Sequence, residues 1–187
     1  AGLRYTFFNP LAVKISYEHS VRLPIARELL GNGTTVYANV ALEPEKSNNV
    51  NLALFGTWGP AARHTVYYEA NGFLRYVDNY IQSSVIEKEG MLQYVNDPAV
   101  HIKGVEGEVS YDWDGRLQLM ANVSYQDARD QQEFKEDGKP SATYNNHVPN
   151  RPWLFGSAEA SYTFRNLWQQ GGKLRLGCTF QWVHWYF

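Results

Sequence analysis

Polar and apolar residues alternate with a period of two through most of this chain. Leu117, Leu119, Ala121, Val123 and Tyr125 interleave with Gln118, Met120, Asn122, Ser124 and Gln126. Val105, Gly107, Val109, Tyr111 and Trp113 interleave with Glu106, Glu108, Ser110 and Asp112. Leu154 to Phe164 repeats the pattern against Ser157, Glu159, Ser161 and Thr163. A period of two means strands. Eight are predicted, over residues 2–8, 11–20, 48–58, 64–83, 98–113, 116–127, 153–164 and 173–185. The connections expected to be short are 9–10, 59–63, 114–115 and 165–172; those expected to be long or irregular are 21–47, 84–97 and 128–152.

The two faces of these strands differ in charge. The outward set also includes Leu3, Tyr5, Phe7, Val13, Ile15, Leu52, Leu54, Trp58, Val66, Tyr68, Leu74, Tyr76, Leu176, Phe180 and Trp182, and admits no charged residue. The inward set holds Arg4, Lys14, Glu18, Glu69, Arg75, Glu106, Glu108, Arg116, Glu159, Lys173 and Arg175, with Asn122 among its polar members. A charge near the bilayer midplane costs about 2–4 kcal/mol in a membrane barrel, so this segregation predicts lipid on one side and a polar lumen on the other. Short turns at one end and long loops at the other fit the same picture. The fold class is therefore all-β, an antiparallel up-and-down transmembrane β-barrel with about eight strands present. One stretch breaks phase: Val100 and Ile102 take the inward parity, which places the part after Pro98 above the membrane or at a bulge. A soluble β-sandwich also alternates, but its edge strands usually carry protective charges, and none falls outward here.

Composition narrows the classes. Mean hydropathy is −0.46 and no run of ~18 apolar residues exists, which excludes a helical span and leaves strands untouched. A net charge of −2 gives no footprint for nucleic acid. Aromatic residues make up 15% of the chain, enough for interfacial girdles of a barrel or for a carbohydrate-binding sandwich. The one cysteine, Cys178, excludes an internal disulfide framework.

Five phrases, in order, resemble the barrel of TonB-dependent outer-membrane receptors, particularly those of Bacteroides-type bacteria. They are Arg22-Leu23-Pro24-Ile25-Ala26-Arg27-Glu28-Leu29, the run from Asn39 to Ser47, Ile102-Lys103-Gly104-Val105-Glu106-Gly107-Glu108, Ser124-Tyr125-Gln126-Asp127-Ala128-Arg129, and Val148-Pro149-Asn150-Arg151-Pro152. Such barrels have about 22 strands around a plug. The expectation is thus one domain over 1–187, an incomplete barrel segment without a plug domain; a complete eight-stranded barrel is the competing account. The resemblance implies a Gram-negative outer-membrane location, a lipid surround, and a plug domain and TonB as partners of the parent. It also implies energy-coupled uptake of a small molecule or metal chelate, such as siderophore-iron, haem, cobalamin or a glycan. The alternatives are a small structural or adhesive outer-membrane barrel and a soluble carbohydrate-binding sandwich.

Catalytic chemistry finds no support. There is no nucleophile elbow, phosphate loop or cysteine pair, and the five histidines lack metal-ligand spacing. No metal or other cofactor is expected. Asp112-Trp113-Asp114-Gly115 lacks the later ligands of a calcium loop and predicts a tight turn. Glu106 and Glu108, ~7 Å apart on one strand face, and Glu159 read as parts of a lumen network with arginines rather than as glycosidase acids. In the 128–150 loop, Phe134, Lys135, Tyr144, Asn145 and His147 are the candidates for ligand contact.

Overall fold

The computed structural model describes residues 1–8, 10–61, 63–86, 90–135 and 138–184, leaving aside the side chains of 60 and 61. The strands are β1 (Gly2–Phe8), β2 (Leu11–Arg22), β3 (Val36–Tyr37), β4 (Glu45–Ala61), β5 (His64–Ile86), β6 (Met91–Trp113), β7 (Leu117–Asp130), β8 (Leu154–Arg165) and β9 (Lys173–Val183). One short helix, α1 (Ala26–Leu30), follows β2. All eight long strands form one antiparallel meander in the order β1-β2-β4-β5-β6-β7-β8-β9, and β3 adds in parallel to β6. A sandwich needs two packed sheets; this is a single continuous one. Among the described residues β1 pairs only with β2 and β9 only with β8, so the sheet is an open arc. The closure required of a small complete barrel is not seen.

Register fixes the faces. Leu54 lies between Val13 and Ala70, Gly107 between Ala70 and Val123, and Gly156 between Val123 and Trp182. An outward row of Val13, Leu54, Ala70, Gly107, Val123, Gly156 and Trp182 thus crosses seven strands without a charge. These side chains stand open: Leu3 is 70% exposed, Phe180 65% and Val105 58%. So large an apolar surface is untenable in water and suits hydrocarbon. Along β7 it runs from Leu117 to Tyr125, about 27 Å of strand. At a tilt of ~40° that gives roughly 21 Å of height, close to the ~25 Å apolar band of such barrels.

The sheet curls toward its polar side. Glu18 on β2 and Gln126 on β7 line the same hollow, although β4, β5 and β6 lie between them. At the short-turn end, Asp114 (φ 53°) and Gly115 (φ 60°) are both left-handed, the type I′ geometry expected for Asp-Gly between strands.

The long connections depart from expectation. Residues 84–97 are not an irregular loop: β5 and β6 pair without a register shift from His64–Trp113 to Ile86–Met91. Residues 87–89 lie outside the described residues. The period-two signal fades there because neither face meets lipid above the bilayer. Nor does a bulge explain the phase of Val100 and Ile102, which keep register with Val77 and Arg75. Their inward parity is real. Val100 is fully buried and packs with Val77, Tyr80, Ala128 and Val148 in the core of the long-loop end. The expected last strand reached residue 185; β9 ends at Val183, and 185–187 lie outside the described residues.

Candidate functional site

The inward wall is the first element of the site. Arg4, Lys14, Glu18 and Glu69 line one hollow, with Phe55, Tyr67 and Asn71 between them. Arg4 stands opposite Lys14 and lays its guanidinium over the Phe55 ring at 4.8 Å. Two strands on, Glu69 stands directly opposite Glu108, and Asn71 opposite Glu106. Tyr67 donates to Glu69, and Asn71 Nδ2 donates to Glu106 Oε2 at 3.3 Å. Like charges directly opposite one another destabilise a sheet, and here the Tyr67 hydroxyl and the Asn71 amide each meet one of these carboxylates. Arg75 covers the Phe73 ring at 4.8 Å, and Phe73 in turn lies over Gly104, where a Cβ would collide with it.

Farther along the wall, Asn122 Nδ2 donates to Ser157 Oγ at 2.8 Å. Arg175 donates to Ser161 Oγ at 2.8 Å and to Gln118 Oε1 at 2.7 Å. Glu159, Ser161 and Arg175 border a second hollow. Arg116 is displaced from its expected place: it sits in the turn before β7, 3.2 Å from Asp114 Oδ2, because Asp114 gathers both Arg116 and Arg165 at the end of the wall.

The second element is a strap over the long-loop mouth. Arg22 donates through Nε and Nη2 to Glu45 at 2.6 and 2.9 Å, and through Nη1 to Glu28 at 3.0 Å. Glu28 also accepts the Ile25 N–H at 2.9 Å, capping α1. Hydrogen bonding to Glu45 outweighs desolvation and, with Glu28, holds the guanidinium above its ordinary range. Glu45 accepts the Ile81 N–H as well, at 2.7 Å. The strap then reaches β6, where β3 pairs with Leu92 and Gln93, Asn39 donates to Tyr94 O, and Asn96 brackets Glu43. The alternation pattern missed this ion cluster. Its sequence signal is that Arg22, Glu28 and Glu45 all lie within the phrases that carry the family resemblance.

The 128–152 loop divides in two. Phe134 and Tyr144 are exposed at 56% and 46%, and Lys135 belongs to a small turn closed by its N–H to Lys139 O at 2.8 Å. Asn145 and His147 instead run back along the top of β7. The Asn145 carbonyl accepts from Arg129 at 2.9 Å, and His147 Nδ1 lies 3.2 Å from Asp127. Asp127 also holds Arg129 at 3.0 Å and Lys103 at 3.6 Å. Lys103 and Asp127 share the outward parity of Val105 and Tyr125. The outward face therefore does carry charge at its upper rim, contrary to the sequence expectation. Beside this rim, burial pushes the Asp97 carboxyl up to about 6, with Asp130 adding to the shift and the Ala99 N–H opposing it.

A lipid-exposed apolar face, a charged concave face and straps at one mouth are the attributes of a receptor barrel wall. The family model described as TonB dependent receptor-like, beta-barrel, matches residues 1–184. The chain belongs to this family. Solved structures agree on the fold. The copper transporter OprC matches with a TM-score of 0.60 at 18% identity, over 96% of this chain and 24% of that one. The Serratia marcescens hemophore receptor HasR, a double mutant in complex with its hemophore HasA and heme, matches at 0.63 and 19% identity over 100% of this chain and 32% of that one. The FrpB iron transporter from Neisseria meningitidis matches at 0.51 and 17% identity, over 88% and 24%. The chain spans about a quarter to a third of the length of these TonB-dependent receptor structures. Transporters and receptors, not enzymes, make up this company.

Proposed function

We propose that this chain forms part of the wall of a Gram-negative outer-membrane receptor that imports iron, haem or copper, energised through a plug domain and TonB. The observation that carries the reading is the two-sided wall, apolar outside and charged inside, in a chain of this family. The facing carboxylates Glu69, Glu106 and Glu108 support a basic surface of a plug as their partner in the lumen. So do Asn49 Oδ1 and Asn71 Oδ1, buried polar atoms with no partner among the described residues. The exposed tip residues Phe134, Lys135 and Tyr144 are the ligand-contact candidates, whereas Asn145 and His147 anchor their loop. The copper, heme and iron systems among the structural neighbours favour iron, haem or copper as cargo over cobalamin or a glycan.

The test is uptake by cells carrying the intact receptor, offered radiolabelled ferric siderophore, haem, copper or cobalamin, with and without TonB. Accumulation of iron, haem or copper that requires TonB is the expected result. Accumulation unchanged by loss of TonB would contradict energised import, and cobalamin alone would overturn the cargo class.

A further inference from the structure

We infer that the outward-facing cluster around Asp127 is a binding site for the phosphate of an outer-leaflet lipid headgroup, with Lys103 as the group that meets it. This rests on the membrane-barrel reading, with the long loops outside the cell.

Height is the first argument. Lys103 lies between Leu74 and Asp127 on the outward face, one row above Gly72, Val105 and Tyr125. Two residues of strand rise about 7 Å, so Lys103 emerges directly above the last apolar outward residues of β6 and β7, Val105 and Tyr125, and level with Leu74 of β5. Headgroups lie at that level, and aromatic contacts mark the same zone: Tyr125 packs edge-on to Trp153, and Trp153 to His184. Such aromatic girdles flank the apolar band of barrels.

Charge is the second. Asp127 is 8% exposed and faces two permanent cations, Lys103 and Arg129, together with His147. The cluster is net positive. Among the described residues, Lys46 is also outward at this end and stands opposite Asp78 in the register.

The third argument separates anchoring from binding. Arg129 is committed: Nε holds Asp127 at 3.0 Å and Nη1 holds the Asn145 carbonyl at 2.9 Å. Those bonds already fix the loop to β7. Lys103 adds little to them, since its Nζ is 3.6 Å from Asp127 and its side chain is 66% exposed. Yet it stands on a face that admits no charge lower down. A lysine at an anionic membrane surface is worth about 1 kcal/mol, which gives that position a use. A cleft of about 250 Å³ opens beside it, bordered by Leu74, Tyr76, His101 and Asn145, apolar below and polar above as a lipid headgroup requires.

The intact receptor in detergent would be mixed with bis-phosphorylated lipid A, with the dephosphorylated form, or with the first in millimolar inorganic phosphate, and bound lipid counted by native mass spectrometry. Wild type should retain the phosphorylated lipid about fivefold better than Lys103→Gln. The dephosphorylated lipid should not distinguish the two proteins, and inorganic phosphate should not displace bound lipid. Equal retention by wild type and variant, or displacement by inorganic phosphate, would overturn the proposal. A fluorophore at Val105, quenched by brominated lipid tails, separates the two layers of inference. Quenching with equal retention sinks the headgroup site alone; absence of quenching sinks the barrel reading beneath it.

Discussion

The lower and upper halves of this sheet share their strands but obey different rules. Between the short turns and the row of Val105 and Tyr125, the outward side chains are apolar and the charges lie inward. Above that row the order reverses in places. Lys103, Asp127 and Arg129 face outward, while Val100, Ala128 and Val148 are buried together. The difference lies in the solvent. Hydrocarbon penalises every outward charge, so the lower half is written in a strict two-letter pattern. Water on both sides imposes no such pattern, and the upper half is held by specific clusters instead: an apolar knot and the Arg22–Glu28–Glu45 network.

The sharpest way to break this comparison is the same substitution at two heights of one face. Val123→Arg, in the lower half, should cost about 2–4 kcal/mol and abolish most membrane assembly. Val21→Arg, outward but above the membrane and 54% exposed, should change folded yield by less than about 0.5 kcal/mol. Heat-resistant migration on gels measures both; equal losses would mean that height does not matter.

A smaller effect should follow from releasing the strap. Arg22→Ala leaves Glu28 and Glu45, both nearly buried, without their shared cation. Removal of one partner from a fully buried network costs about 3–5 kcal/mol. Arg22 itself is 42% exposed, so roughly half of that is expected. Hydrogen exchange should rise through residues 23–44 and leave β7 and β8 below Tyr125 unchanged. Val100→Ala should loosen the 145–148 return by about 2 kcal/mol, read as faster proteolysis near Lys139.

The mildest effect is on pH. The Asp97 carboxyl is raised to about 6 in the folded protein from an ordinary value of 3.8, by burial first and then by Asp130. The folded state thus holds its proton more tightly, so the contribution is fully present below about 4 and is lost as pH rises through about 6. Exchange of the 128–132 amides should quicken roughly tenfold between pH 5 and 7.5, after correction for intrinsic rates. Asp97→Asn should remove that dependence, and the lower half should show none.

The same division explains what the sequence disclosed. The meander, the faces and the Asp114-Gly115 turn were legible because lipid and turn chemistry each leave a local, periodic mark. The β5–β6 extension through 84–97 left none: with water on both sides, Val85, Asn96 and Asp97 need not alternate. The expectation of an uncharged outward face failed at Lys103 and Asp127, although their parity was readable, because parity does not tell height. Val148 was legible only as part of a motif; its burial depends on Val100 and Tyr80, distant in sequence and joined to it by the fold. Asn145 and His147, expected as ligand contacts, lie on the return of the loop beside β7, where the Asn145 carbonyl accepts from Arg129 and the His147 ring approaches Asp127, neighbours that local pattern does not disclose.

The most direct test follows accessibility along β7 in the intact receptor within the outer membrane. Single cysteines at each position from 117 to 130, in a Cys178→Ser background, would carry spin labels challenged with oxygen and with a water-soluble nickel complex. Oxygen should dominate at Leu117, Leu119, Ala121, Val123 and Tyr125, with that advantage lost at the positions between. Above Tyr125 the lipid signal should stop, so that Asp127 and Arg129 report water despite sharing the outward parity. A lipid signal that continued to Arg129, or one that failed to alternate below Tyr125, would contradict the account.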